Sequence, residues 1–296
     1  MLKKLSWILC LSVVPSVSAG RLESKVVYGD DDRKEIFQLT NFALQNLSQS
    51  TAMLVESFRL NDANAEEYRL QGPSFGEEYD LCAAEPFREQ PAVGFCSAFL
   101  VAPDMVATAG HCLSTQSECD GTSFVFGYGL HHADADMSRV AKSKVYSCKR
   151  IVERVETRSG ADYGLIQLDR VVGGVAPLTL AREPVANQDS LHVLGHPAGI
   201  PLKIGDGVVR SAAPRDFMVT NLDTYGGNSG SAVVRASDLA VVGILVRGET
   251  DFVYRGGCRV SNQCTNEGCR GEDVTRIGFI ADALAKPRKA PVTVRR

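Results

Sequence analysis

No apolar run in this 296-residue chain reaches the roughly 20 residues needed to span a bilayer. The stretch from Leu5 to Val14 holds only about ten before Pro15 breaks it, and no later segment qualifies. An excess of one sign of charge is also missing: the formal net charge is −3 at pH 7, which offers no polycationic field to a nucleic acid. There is no internal repeat and no low-complexity block. With 44% hydrophobic and 23% charged residues, extended disorder, collagen and coiled coil are excluded. Cys-x-x-Cys pairs are missing, and Cys258, Cys264 and Cys269 have no histidine nearby, so no zinc site is expected.

What is present begins with a leader. Lys3 and Lys4 precede the apolar run, and Val17-Ser18-Ala19 is the small-residue pattern a signal peptidase reads. Residues 1–19 are therefore expected to be removed, which places the chain in a periplasm or outside the cell. Nine cysteines then become eight: Cys82, Cys96, Cys112, Cys119, Cys148, Cys258, Cys264 and Cys269. An even count in an exported chain predicts up to four disulfides.

The body of the chain reads as β structure. Val26 to Tyr28 is a short strand candidate stopped by Gly29, and the three aspartates after it read as a solvated turn. Residues 35–47 carry a weak helical spacing, and residues 61–80 are polar enough to read as a loop region. After residue 95, short β-rich runs recur between turn residues: 98–101, 105–108, 123–128, 165–168, 191–194, 231–234 and 241–246. That pattern predicts a sandwich or barrel. Residues 279–285 are predicted to form a short helix that Pro287 ends, ahead of a basic tail.

Three separated motifs carry chemistry. In Thr108-Ala109-Gly110-His111-Cys112, a histidine at a strand end can act as general base, because its pKa lies near working pH. A Cys96–Cys112 bridge would close the hairpin that holds it, adding roughly 3 kcal/mol in the chain-entropy view. In Asp162-Tyr163-Gly164-Leu165, a carboxylate enters an apolar strand. Burial of an unpaired carboxylate is costly, and the cost is met if Asp162 accepts the histidine's Nδ1–H. In Gly226-Gly227-Asn228-Ser229-Gly230-Ser231, glycines on both sides permit the tight turn an exposed serine nucleophile needs. The N–H groups of Gly227 and Ser229 are the expected oxyanion hole. Ser231 where a glycine would stand, and the order His, Asp, Ser, argue against the α/β-hydrolase elbow.

These motifs, in this order, resemble those of the trypsin/chymotrypsin-like serine peptidases, and most of all the exported bacterial branch that includes glutamyl endopeptidases. The likeness covers roughly residues 26–285. It implies an all-β fold of two six-stranded antiparallel barrels with a short C-terminal helix, the first barrel over about 26–160 and the second over about 161–280. It implies acyl transfer with Ser229 as nucleophile, His111 as base and Asp162 as its orienter. No cofactor or metal is implied. The expected partner is a protein or peptide substrate, met by a monomer with no nucleic acid and, once the leader is gone, no membrane.

Departures from the family pattern carry information. Asn228 stands where trypsin has the aspartate that captures a new N-terminal amine, so that activation switch is not expected. Residues 20–25 are at most a short pro-segment, and cleavage after Lys25 would free Val26. The residue six before the nucleophile forms the base of the P1 pocket in the family. Here it is Asp223, which implies a preference for Arg or Lys. A glutamyl preference would want a histidine where Leu245 stands, and Arg247 nearby is expected to point outward. His196, between Gly195 and Pro197, reads as a loop residue with local hydrogen bonds.

Among the cysteines, Cys119–Cys148 is a second expected bridge, and Cys82, Cys258, Cys264 and Cys269 pair in one of three ways.

Overall fold

Short amphipathic strands expose unpaired N–H and C=O groups at every sheet edge, and closing the sheet removes those edges. The computed structural model, which describes residues 26–287, solves the problem twice. The predicted leader, the pro-segment and the tail beyond Pro287 lie outside the described residues.

The first barrel is built from β1 (Thr51–Glu56), β2 (Cys96–Ala102), β3 (Met105–Thr108), β4 (Thr122–Phe126), β5 (Val145–Glu156) and β6 (Asp162–Leu168). They close in the order β6-β3-β2-β1-β4-β5. The second contains β7 (Ser190–Gly195), β8 (Lys203–Ser211), β9 (Phe217–Thr220), β10 (Ala232–Arg235), β11 (Val241–Arg247) and β12 (Glu272–Arg276), closed as β7-β8-β9-β12-β11-β10. Every pairing within the two barrels is antiparallel.

Each barrel is filled by its own apolar side chains. Phe99, Leu100, Val106, Phe124 and Leu165 are fully buried in the first. Leu191, Val209, Met218, Leu245 and Val274 fill the second. Burying each such side chain contributes about 1.5–3 kcal/mol, so the two cores are the main source of stability. The predicted C-terminal helix forms over Gly278–Ala285. It leaves the second barrel and returns to the first, where Phe279 stacks on Tyr163 with ring centroids 5.3 Å apart.

Three expectations need correction. The strand Asp162–Leu168 closes the first barrel, so the division between barrels falls after residue 168 rather than at 160. Residues 61–80 are not simply loop. Leu60–Asp62 and Glu67–Leu70 pair with each other, and the latter pairs with Arg139–Ala141. A turn of helix follows over Phe75–Glu78, started by a Ser74/Glu77 capping box. The aspartates after Tyr28 are only in part a solvated turn: Asp30 and Asp31 are exposed, whereas Asp32 anchors the segment, its N–H donating to Asp223 Oδ2 and its Oδ1 accepting from Asp206 N–H.

All four bridges form. Cys96–Cys112 and Cys119–Cys148 are as expected, and the remaining four cysteines pair as Cys82–Cys258 and Cys264–Cys269.

Candidate active site

His111 sits in a single 3₁₀ turn, Gly110–Cys112, directly after β3. Asp162 opens β6, which pairs with β3 in antiparallel register, Gly164 opposite Thr108. The pairing therefore carries the carboxylate of Asp162 to the start of the histidine turn. Its Oδ1 accepts from the backbone N–H of Gly110 at 2.6 Å and of His111 at 3.2 Å. Its Oδ2 lies 2.7 Å from His111 Nδ1. Asp162 is 1% exposed. A carboxylate at this distance favours the tautomer with the proton on Nδ1, an arrangement in which Nε2 can serve as a base.

Ser229 is buried in the loop that enters β10, its carbonyl 3.6 Å from Sγ of Cys112, the residue after His111. One first-barrel residue, Ser97 of β2, holds this loop. Its N–H donates to the carbonyl of Ser229 at 2.8 Å, and its Oγ donates to the carbonyl of Gly227 at 2.9 Å. Thr108 Oγ1 donates to the Ser97 carbonyl at 2.7 Å, and Ser97 Oγ accepts from the N–H of His196 at 2.9 Å. Ser97 thus couples the histidine hairpin to the serine loop. The same loop is pinned from the second barrel, where Gly230 N–H donates to the Leu245 carbonyl at 2.7 Å.

Two glycines are obligatory here. Gly227 and Gly230 have φ of 88° and 91°. A Cβ on Gly230 would collide with the Ser97 carbonyl, and one on Gly227 would meet the His196 carbonyl at 2.7 Å. Asn228 is buried and accepts from Ser231 Oγ at 3.1 Å. The Ser231 that departs from the hydrolase elbow therefore braces the turn.

Asp223 is 2% exposed, and both its oxygens face the N-terminal segment: Oδ1 accepts from the N–H of Tyr28 at 2.6 Å, Oδ2 from that of Asp32 at 3.1 Å. Burial pushes its carboxyl up to about 7, against those two hydrogen bonds. Arg247 does not point outward as expected. It folds over the strand ends, where Nε meets Asp273 Oδ2 at 3.0 Å, Nη2 donates to the Gly160 carbonyl at 2.6 Å, and Nη1 stands 3.8 Å from Asp162 Oδ2. His196 is fully buried with Nδ1 3.1 Å from the Ile200 carbonyl, and burial lowers its pKa to about 3. That is a structural histidine, kept neutral.

Cys96, Cys112 and His111 form a grouping of metal-ligand residue types within 4.8 Å. Both sulfurs are locked in one disulfide, which removes the thiolates that metal ligation needs. The role of Ser97, and that of Asp32 and Arg33 beside the serine loop, escaped sequence reading. A lone serine after a cysteine carries no local signal, and its role arises only where the two barrels meet.

Residues 96–244 match the family model described as the trypsin-like peptidase domain. An extracellular metalloprotease of Bacillus subtilis is 29% identical over 184 residues, covering 58% of this chain and 56% of the relative. The secreted RxLR effector protein 73 of Plasmopara viticola is 29% identical over 168 residues, covering 51% and 40%. The chain thus spans about half the length of the curated relatives it matches. Among solved structures, a Glu endopeptidase in complex with MPD superposes with a TM-score of 0.52 at 17% identity, over 88% of this chain and all of the other. HBP does so with 0.51 at 16%, over 90% of this chain and all of the other. At such identities these likenesses speak for the fold alone. With the fold, the site geometry and the domain match in agreement, the chain belongs to the trypsin-like peptidase family.

Proposed function

We propose that this chain is an exported serine endopeptidase that cleaves proteins or peptides through an acyl-enzyme, with a preference for Arg or Lys at P1. The observation that carries the reading is the 2.7 Å contact between a buried carboxylate and His111 Nδ1, beside a serine loop tied to the same barrel through Ser97. Ser229 Oγ attacks the scissile carbonyl and its proton passes to His111 Nε2. The imidazolium then gives that proton to the leaving amine as the C–N bond breaks. A water repeats the sequence on the ester, releasing the acid and restoring Ser229. Asp162 orients the ring and stabilises the imidazolium. The N–H groups of Gly227 and Ser229 face the developing oxyanion, where one such donor contributes about 3 kcal/mol.

Export is supported by the leader pattern and by four disulfides, which persist in oxidising compartments. Preference for a basic P1 residue rests on the family likeness that puts Asp223 at the base of the P1 pocket; Asp223 is buried six residues before Ser229, although its two oxygens here accept from the backbone of Tyr28 and Asp32.

The test is covalent labelling with a sulfonyl fluoride, beside hydrolysis of a fluorogenic peptide panel. Labelling is expected at Ser229, and Ser229→Ala should abolish it and lower kcat by about 10⁴–10⁶. Labelling that persists in Ser229→Ala sinks the assignment. N-terminal sequencing of the active form tests processing: Val26 is expected if Lys25 is a cleavage site, and Gly20 would reject that.

A further inference from the structure

The proposed reaction draws on both barrels: His111 and Asp162 belong to first-barrel elements, and Ser229 to a second-barrel loop. Their relative placement therefore needs contacts that cross between the barrels. The end of β11 touches both sides. Ser229 Oγ donates to the Val246 carbonyl at 3.4 Å, and the next residue, Arg247, brings Nη1 to 3.8 Å from Asp162 Oδ2. That oxygen is the one 2.7 Å from His111 Nδ1.

A break in the ladder aims Arg247 there. Leu245 lies opposite Val274 and Arg247 opposite Asp273, so Val246 is the extra residue of a β-bulge. Regular alternation would put Leu245 and Arg247 on the same face, and Leu245 packs in the second core. The bulge turns Arg247 away from that core, toward the turn that joins β5 to β6. There Nη2 donates to the Gly160 carbonyl at 2.6 Å and Nη1 to the Thr157 carbonyl at 3.4 Å, while Nε donates to Asp273 Oδ2 at 3.0 Å. The guanidinium is thus fixed from both barrels. A second tie runs beside it: Asp162 N–H donates to Oγ1 of Thr275, on β12, at 3.2 Å.

We infer that Arg247 is a positioning residue, which holds Asp162, and through it the His111 ring, at the placement Ser229 requires. The inference rests on the reading of these three residues as a catalytic triad. A guanidinium is cationic at any working pH, and its planar fork fixes direction as well as charge. Oδ1 of Asp162 accepts from the N–H groups of Gly110 and His111, so the direction of the ring is set through Oδ2, where Arg247 stands. Arg154 of β5 is a second cation at the histidine turn. Its Nε donates to the Gly110 carbonyl at 2.8 Å and its Nη2 pairs with Glu156, so it holds the backbone of the turn and not the carboxylate. A displacement of about 1 Å between reacting groups can cost on the order of 100-fold in rate.

The experiment measures kcat and KM on one fluorogenic peptide, and the rate at which a sulfonyl fluoride labels Ser229, for the wild type, Arg247→Gln, Arg247→Lys and Arg270→Gln. Arg270 Nη2 pairs with the same Asp273 oxygen at 2.7 Å, so its variant reports the loss of a cation from Asp273 alone. Both kcat and the labelling rate should fall on the order of 100-fold in Arg247→Gln, with KM within about threefold. Arg247→Lys keeps a cation without the fork and should lose about tenfold. Arg270→Gln should stay within about threefold of the wild type. An equal fall in Arg270→Gln overturns the inference, as does a loss in Arg247→Gln carried wholly by KM. Should the urea midpoint show that Arg247→Gln does not fold, Arg247→Lys decides: a wild-type kcat there overturns the inference. Labelling at the wild-type rate in folded Arg247→Gln rejects the role of Arg247 and leaves the nucleophile standing. No labelling of the folded wild type rejects the nucleophile, and the inference falls with it.

Discussion

The two barrels share strand number and closure, yet different forces hold them. The first is stapled covalently and locally. Cys96–Cys112 ties β2 to the histidine turn across 16 residues, and Cys119–Cys148 ties the short helix Gln116–Asp120 to β5 across 29. Among the described residues, no disulfide joins strands of the second barrel; Cys82–Cys258 and Cys264–Cys269 lie outside its strands. The N-terminal segment straps it instead. Val27 and Tyr28 pair with Gln263 and Cys264, Lys34 bridges to Ile204, and Asp206 N–H donates to Asp32 Oδ1 at 3.0 Å. Arg33, its side chain 1% exposed, pairs with Asp31 and lays its guanidinium 3.9 Å from the centre of the Tyr225 ring. Its Nη2 also donates to the Tyr225 hydroxyl at 2.6 Å. The histidine therefore depends on sulfur chemistry near it in sequence, and the serine on polar contacts made from nearly 200 residues away. A covalent staple is insensitive to pH in the neutral range; a strap of carboxyls around a buried cation is not.

That contrast can be broken most directly by removing a staple. Cys119→Ala with Cys148→Ala should lower stability by about 3–4 kcal/mol, read as a drop in the urea midpoint. Amide exchange should quicken in β4 and β5 and leave β7 to β12 protected. Equal loss in both barrels would show one cooperative unit and erase the distinction. Arg33→Met should act on the other side. Loss of the cation–π contact and of the ion pair with Asp31 should cost about 2 kcal/mol, with faster exchange in β8 and around residues 223–228. Arg33→Lys keeps the charge without the planar fork and should recover less than half of it.

The smallest expected effect is the pH response. The carboxyl of Asp223 is raised from 3.8 to about 7 by burial, and that of Asp32 to about 6 by the same cause. A raised carboxyl binds its proton more tightly in the folded chain than in the unfolded one. Its contribution is complete below pH 3.8 and is lost as pH rises through 6 and 7. Asp31 and Asp206 are lowered, Asp31 by Arg33 and Asp206 chiefly by the His192 hydrogen bond. Their contribution is lost only at acid pH. Between about pH 5 and 8 the strap should therefore weaken by on the order of 1–2 kcal/mol as pH rises. Urea midpoints across that range should slope downward in the wild type and flatten in Asp223→Asn.

Much of this fold was legible because its strands are short and apolar between turn residues. Met105–Thr108 matched its expected bounds, and most other predicted runs were off by one to three residues. The strand Val145–Glu156 was not, because Lys149, Arg150, Glu153 and Arg154 interrupt its apolar pattern. Its pairing with β6 shifts register twice, which breaks simple alternation. The strand Lys203–Ser211 was hidden by Gly205 and Gly207, residues poor in strand preference. The helix turn at Phe75–Glu78 had a signal, Ser74 three residues before Glu77, that a polar composition masked.

The sequence by itself determined the family and the barrel class, and it marked the three motifs that the proposed reaction would use, because a proposed nucleophile turn, a proposed base at a strand end and a carboxylate entering an apolar strand each need particular residues in a short span. Tertiary structure alone decided how those spans are held. Ser97 ties the barrels, Arg247 folds back toward Asp162, Asp223 faces the N-terminal strap, and Glu272 accepts from Thr224 Oγ1. Each of these roles is a contact between residues far apart in the chain. Burial and orientation of a charged side chain are set by the elements that close over it, and no local pattern of residues encodes them.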